Sequence, residues 1–154
     1  MNRKFIVYLF LGLALTAGSA TIIPKAAHAL DPIFKDLSDT AIRGYDPVAY
    51  FTEGKPVRGK SEISHQWMGA VWHFSSKGNR DLFIANPGMY APQYGGYCAW
   101  AVSEGYTAPI SPKVWNIHNG KLYLNYSKGV QRQWEKDREG HINKADRNWP
   151  KLLK

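Results

Sequence analysis

The alternation of apolar and polar residues predicts two β-hairpins in this chain. Residues 62–74 alternate on both sides of Met68-Gly69, with β-branched and aromatic residues flanking the turn. Alternation also runs over 114–126 around Asn119-Gly120, a dipeptide that favours the positive φ angles of a type I′ turn. We therefore expect about four antiparallel strands.

Helix signals lie before and between these hairpins. Asp46-Pro47 is typical of a helix start, because an aspartate caps free N–H groups and proline fits the first turn. This start predicts a helix of one or two turns. Ser76 is predicted to cap a second helix that ends at Asn86, with Leu82 and Phe83 packed inward.

The second half of the chain predicts three more helices. A short apolar one is expected over 97–102, Ser127 opens another that reaches about Arg138, and the last lies around 142–149 and ends at Pro150. The predicted fold is α+β. It has a small antiparallel sheet of about four strands in two hairpins, with short helices packed on it and a C-terminal helical segment.

The first 29 residues have the pattern of an export signal. Arg3 and Lys4 precede the apolar stretch 5–15, and Ala27-His28-Ala29 fits a cleavage site. We predict a signal peptide over 1–29, export to the periplasm or the extracellular space, and no stable membrane insertion after cleavage. The alternative is an uncleaved anchor, because residues 5–24 contain no charge.

The length and charge of the chain limit the number of domains and the classes of partner. A chain of 154 residues accommodates one domain, predicted over 44–150, with a lead-in segment at 30–43 and a basic tail at 151–154. Cleavage would lower the formal net charge from +8 to +5 by removing three basic residues. Because the remaining basic residues are dispersed, we expect no nucleic-acid partner.

Cys98 is the single cysteine, so the chain cannot form an internal disulfide. The predicted helix over 97–102 would place it in a first turn, where the helix dipole favours a thiolate. A metal or redox role, nucleophilic catalysis and simple burial in the core are the three interpretations. Burial is a strong alternative because free cysteine is among the most buried residue types.

Histidines supply the other candidate metal ligands. His65 and His73 would face each other across the first hairpin if both side chains point to the same side, and imidazole with thiolate suits copper or zinc. The candidate metal set is therefore Cys98, His73 and His65. We expect His118 to be exposed beside its turn and His141 to lie in a connection between helices.

Two tyrosine-rich segments are candidates for a ligand pocket, because tyrosine combines apolar surface with a hydroxyl group. The candidate residues are Tyr45, Asp46, Tyr50, Tyr94 and Tyr97. The alternative is structural, with Asp46 as a helix cap and the tyrosines in the core. No metalloprotease, serine-hydrolase or phosphate-loop motif is present, so the sequence indicates no catalytic residue.

Several motifs, in this order, resemble those of the YHS-domain family, and in particular its exported single-domain members. They are GYDPVAYF at 44–51, WHFSS at 72–76, NRDLF at 79–83, NPGMYAP at 86–92, YGGYCA at 94–99 and LYLNY at 122–126. The resemblance covers the predicted domain from about Gly44 to Pro150.

The family resemblance implies a metal association. YHS domains occur beside copper- and other metal-transporting ATPases and in some oxygenases, and the metal-type members carry two cysteines where this chain has Ala49 and Ser75. The leading hypothesis is a metal-associated accessory protein, with copper as first candidate and a metal ion or a periplasmic protein as partner. The alternatives are a structural or interaction module with a buried, inert Cys98, and then a thiol-dependent enzyme.

Overall fold

Two antiparallel hairpins and six α-helices form the part of the chain that the computed structural model describes, residues 29–154. Apart from Ala29, the predicted signal peptide lies outside these residues. The elements in chain order are α1 (Ala49–Thr52), β1 (Lys60–Trp67), β2 (Ala70–Phe74), α2 (Lys77–Ala85), α3 (Pro87–Tyr90), α4 (Ala99–Ser103), β3 (Ser111–His118), β4 (Lys121–Asn125), α5 (Lys128–Lys136) and α6 (Arg138–Leu152).

Both hairpin predictions are confirmed, including their turns. Met68 and Gly69 have φ angles of +50° and +75°, and Asn119 and Gly120 have +49° and +71°. Two consecutive positive φ angles match the twist of the flanking strands, which is why two-residue hairpins favour this turn. Met68 is unusual there because the left-handed conformation brings a Cβ atom too close to the following carbonyl oxygen, and glycine and asparagine are the residues that usually adopt it.

The α+β class is confirmed, but the four strands form two sheets of two strands instead of one sheet. Each hairpin has a register shift, between Lys60 and Ser64 in β1 and between Ser111 and Trp115 in β3. Such bulges bend a strand and interrupt its pairing. The hairpins meet through side chains, since Trp72 of β2 and Leu124 of β4 belong to one buried cluster.

Local capping explains where the longer helices begin. The hydroxyl oxygens of Ser76 and Ser127 accept hydrogen bonds from the backbone N–H groups of Asn79 and Val130, at 3.1 and 3.2 Å. Both predicted starts are confirmed. The expectation for Leu82 was wrong: its side chain is 44% exposed while Phe83 is fully buried, because a helix of two and a half turns presents one narrow face to the core.

Two predicted helix ends also differ from the structure. The short apolar helix begins at Ala99, later than predicted. The last helix passes through Pro150 and ends at Leu152. Although the proline removes one helical hydrogen bond, the Leu153 N–H still donates to the Trp149 carbonyl at 3.3 Å. The basic tail is therefore partly helical.

The lead-in segment packs onto the domain. Ile33, Ala41 and Ile42 are buried in the same cluster as the hairpin side chains. The Ala41 N–H donates to the Val71 carbonyl at 2.9 Å, and the Val71 N–H donates to the Asp39 carbonyl at 2.8 Å. This segment therefore covers the free edge of β2. Within residues 29–154 no helix is both long and apolar enough to span a bilayer.

Candidate functional site

Cys98 lies immediately before α4 and is 1% exposed. The prediction that it occupies a first helical turn was wrong, because the helix begins one residue later and has only five residues. Its thiol donates to the side-chain oxygen of Asn125 at 3.5 Å. The sulfur is thus enclosed in the core and oriented by a neutral amide.

Asn125 is a structural residue that the sequence analysis missed. It is fully buried at the end of β4, and its side-chain oxygen also accepts a hydrogen bond from the Trp100 N–H at 3.1 Å. One amide oxygen therefore caps α4 and holds the Cys98 thiol. The LYLNY strand motif contains this asparagine, but only the tertiary fold brings it to a helix 25 residues earlier in the chain.

The two candidate histidines of the first hairpin lie on opposite faces, so the expectation that they face each other was wrong. His65 pairs with Trp72 and His73 pairs with Ser64 across the hairpin. Paired residues point to the same side of a sheet and neighbours along a strand alternate. Among residues 29–154, no three His, Cys, Asp or Glu side chains are grouped closely enough to hold a metal ion.

Asp46 is a fully buried carboxylate that joins three elements. One oxygen accepts from the N–H groups of Val48 and Ala49, at 2.8 and 3.3 Å. The other accepts from the Ser75 N–H at 2.8 Å, the Ser75 hydroxyl at 2.7 Å and the Asn79 amide at 2.8 Å. These five donors satisfy the carboxylate completely and tie α1 to the end of β2 and the start of α2.

The tyrosine candidates do not line one pocket. Tyr50 is in the core, where its hydroxyl donates to the Pro112 carbonyl at 2.8 Å. The Tyr45 ring lies 5.1 Å below the Arg58 guanidinium. The Tyr97 ring packs against the Trp149 ring, with the ring centroids 5.8 Å apart. The five candidate residues therefore do not form one site. Tyr94 is the one among them that lines the cavity described next.

The cavity containing Tyr94 is a cleft of about 470 Å³ between the first hairpin, the second hairpin turn and α6. It is lined by Trp67 at the end of β1, Lys121 at the start of β4, and Asp146 and Trp149 of α6. Asp146 and Trp149 are three residues apart, so they share one helix face. We call this cavity the aromatic cleft. No sequence motif predicts this cleft, because its side chains come from four separate segments of the chain.

Tyr94 fixes one wall of the aromatic cleft. Its hydroxyl donates to a carboxylate oxygen of Asp146 at 2.9 Å, and its ring lies 6.2 Å from the Trp149 ring. Burial raises the pKa of the Tyr94 phenol well above its ordinary value, and the hydrogen bond to Asp146 raises it further. Burial likewise raises the pKa of Tyr123 to about 12.

The stability of the protein should fall as the pH rises above about 10. An unfolded tyrosine loses its proton near pH 10, whereas folded Tyr94 keeps it to a higher pH, so the unfolded state binds fewer protons and is favoured as the pH rises. In Tyr94→Phe this fall should be shallower. Chemical denaturation between pH 8 and about 11.5 measures it, with the exposed Tyr126→Phe as control. Parallel curves for wild type and Tyr94→Phe would contradict the assignment.

His118 and His141 differ from their expected positions. His118 is 22% exposed and contacts Glu139 through Nε2, while the Arg138 guanidinium donates to Nδ1 at 3.4 Å. His141 lies within α6, because only Asp137 separates α5 from α6, and its Nδ1 lies 2.9 Å from the Ser103 hydroxyl.

The Ser103 and His141 pair does not form a catalytic relay. Glu104 approaches the same ring nitrogen, Nδ1, at 3.7 Å. A serine, histidine and carboxylate relay needs the serine and the carboxylate on opposite ring nitrogens. The Ser103 hydroxyl also donates to the Trp100 carbonyl at 2.6 Å, so its proton is engaged in the backbone of α4.

Comparison with known protein families identifies the first half of the domain. Residues 48–94 match the family model of the YHS domain. The comparisons with curated proteins and with solved structures gave no match. The matched segment begins at α1, includes both strands of the first hairpin, α2 and α3, and ends at Tyr94 in the aromatic cleft. The resemblance to the YHS-domain family is therefore confirmed over residues 48–94.

Proposed function

We propose that this protein is an exported binding module that takes a small ligand in the aromatic cleft, with Cys98 as an inert core residue. The observation that carries the proposal is the convergence of Trp67, Tyr94 and Trp149 with two charged side chains around one cavity of about 470 Å³. A concave site with aromatic walls and a few polar groups is typical of small-ligand sites, which have volumes of roughly 300–1,000 Å³.

The arrangement of the thiol and imidazole groups favours this proposal over copper or zinc binding. Cys98 is 1% exposed and its thiol already has an acceptor. His65 and His73 point to opposite faces of the hairpin. Ser75, which stands where the metal-type relatives carry a cysteine, donates its hydroxyl to Asp46 and so has a structural partner. A tight metal site needs several ligands at about 2.0–2.3 Å from one ion.

The aromatic cleft is also a better ligand site than the larger depression along the lead-in segment. That depression has a volume of about 600 Å³ and includes the apolar residues Phe34, Leu37 and Pro109, but two of its carboxylates are already paired with its lysine. Lys35 pairs with Asp39 at 2.9 Å and with Asp31 at 3.7 Å. A ligand would have to compete with these pairs, whereas the indole walls of the aromatic cleft offer apolar surface directly.

The test is a titration of the full chain with a panel of small neutral aromatic and aliphatic compounds, followed by ¹H–¹⁵N spectra. Each tryptophan indole N–H gives its own signal, so binding is located directly. We expect the Trp67 and Trp149 signals to shift first. Trp149→Ala should weaken binding at least about tenfold, and Trp149→Phe, which keeps an aromatic wall, should retain most of it.

Two controls make the result decisive. Tyr106→Ala changes an exposed aromatic residue outside the cleft and should leave binding unchanged. A parallel titration with Cu(I) and Zn(II) compares wild type with Cys98→Ser, and a thiol reagent should label Cys98 only after denaturation. Stoichiometric metal uptake that disappears in Cys98→Ser, or a panel that never shifts the two cleft signals, would contradict the proposal.

A further inference from the structure

Two opposite charges line the aromatic cleft, and both side chains, Lys121 and Asp146, are solvent-exposed. Lys121 lies at the second hairpin turn, and within residues 29–154 no carboxylate forms an ion pair with it. Asp146 likewise has no cationic partner in the described part of the chain. Both side chains line the same cavity, yet they do not come within the 4.0 Å of an ion pair.

The hydrogen bonding of Asp146 leaves one oxygen available. Oδ1 accepts from the Tyr94 hydroxyl at 2.9 Å, which fixes the direction of the carboxylate. Oδ2 has no donor among residues 29–154, and the Lys121 ammonium has no acceptor there. The cleft therefore offers one fixed acceptor and one donor group, separated by a space with indole walls.

From this geometry we propose that the ligand of the aromatic cleft is a zwitterion of the amino-acid class, with an apolar side chain. This inference rests on the proposed function and specifies its ligand. The ligand ammonium binds Oδ2 of Asp146, where the Trp149 indole three residues away also attracts a cation. The ligand carboxylate binds the Lys121 ammonium, and the side chain lies against Trp67.

Charge and volume both favour a zwitterion over a singly charged ligand. Water hydrates both exposed charges in the free protein, so a ligand gains only from the charges that it contacts. A simple amine gains nothing from Lys121, and a simple carboxylate would place its charge near Asp146, where like charges repel. A cavity of about 470 Å³ accommodates a large amino acid or a dipeptide. One molecule that carries both charges satisfies both side chains.

Four probes that differ only in charge test the inference on the full chain. L-phenylalanine is a zwitterion, L-phenylalaninamide carries only the ammonium, N-acetyl-L-phenylalanine carries only the carboxylate, and N-acetyl-L-phenylalaninamide is neutral. The indole signals of Trp67 and Trp149 report binding at the cleft. We expect L-phenylalanine to bind about three- to fivefold more tightly than either singly charged probe, because each additional exposed ion pair contributes up to about 1 kcal/mol.

Replacing either charged side chain should remove the preference of the cleft for the ligand group that this side chain binds. In Lys121→Gln, L-phenylalanine should bind no better than its amide, and in Asp146→Asn it should bind no better than its N-acetyl derivative. Lys113→Gln and Asp81→Asn change exposed charges outside the cleft and serve as matched controls. A selective loss in each cleft variant cannot arise from general destabilisation, which would weaken all four probes together.

The outcomes separate this inference from the function on which it rests. If all four probes bind at the cleft with the same affinity, the zwitterion inference is wrong and the binding function stands. If none of the four probes binds while neutral compounds of the panel do, the zwitterion inference is again wrong and the binding function again stands. If neither set shifts the cleft signals, both proposals fail.

Discussion

Asp46→Ala should lower the free energy of unfolding by about 3–4 kcal/mol, the largest effect that we expect from a single polar substitution. The alanine removes the acceptor for five donors around α1, Ser75 and Asn79, of which the Val48 and Ala49 N–H groups are fully buried and the other three are partly buried. A buried donor that loses its partner costs about 1–3 kcal/mol, and some donors will recover water contacts as the site relaxes.

Asp46→Asn should be nearly as destabilising as the alanine variant. Its amide can keep one oxygen acceptor, but its NH₂ group then faces three donors from Ser75 and Asn79. Urea denaturation followed by far-ultraviolet circular dichroism measures both variants. Asp81→Asn, at an exposed carboxylate that contacts Arg80, should change stability by less than about 0.5 kcal/mol. An Asp46→Asn variant as stable as wild type would show that the network does not hold the fold together.

Gly95→Ala should destabilise the protein by about 2–4 kcal/mol and release the lead-in segment. Gly95 has a φ of +60°, and a Cβ atom there would lie closer than 3.0 Å to the carbonyl oxygen of Pro32. The strained backbone costs about 1–2 kcal/mol and the steric conflict adds a similar amount. Since the Phe34 N–H donates to the Gly95 carbonyl at 2.8 Å, the substitution acts directly on the lead-in contact.

Gly120→Ala separates the cost of backbone strain from the cost of the steric conflict. Gly120 also has a positive φ, of +71°, but no atom lies within 4 Å of the position of its added Cβ. We therefore expect a loss of only about 1–2 kcal/mol there. Hydrogen exchange gives the second measurement, because the amides of Phe34 and Ala41 should exchange faster in Gly95→Ala and not in Gly120→Ala. Equal losses of stability and unchanged exchange would contradict the proposed lead-in docking.

The elements that the sequence predicted correctly are those whose signals are local. The turn at Asn119-Gly120 and the serine caps of α2 and α5 depend on residues within three positions of each other. The helix end predicted at Pro150 was wrong because the packing of α6 against α4, which no local sequence signal shows, keeps the helix intact past the proline.

The candidate site was predicted less well because its geometry depends on long-range contacts. The faces of His65 and His73 are set by the two-residue turn at Met68-Gly69, which pairs Trp67 with Ala70 and therefore His65 with Trp72, and a shift of one residue would move every side chain to the other face. Lys121, Asp146 and Trp149 had no motif to connect them. Tyr94 was the one pocket candidate that the structure brings to the aromatic cleft.

The sequence by itself determined the α+β class, the two hairpins, the helix caps and the YHS motifs, because turn formation, capping and alternation are satisfied within a few neighbouring residues. Only the tertiary structure decided that Cys98 is enclosed beside Asn125, that Asp46 joins three elements, and that unpaired charges meet in the aromatic cleft. These contacts join residues 25 or more positions apart, and the packing of the two hairpins and α6 sets them. Side-chain burial is a property of the whole fold, so a single chain segment does not encode it.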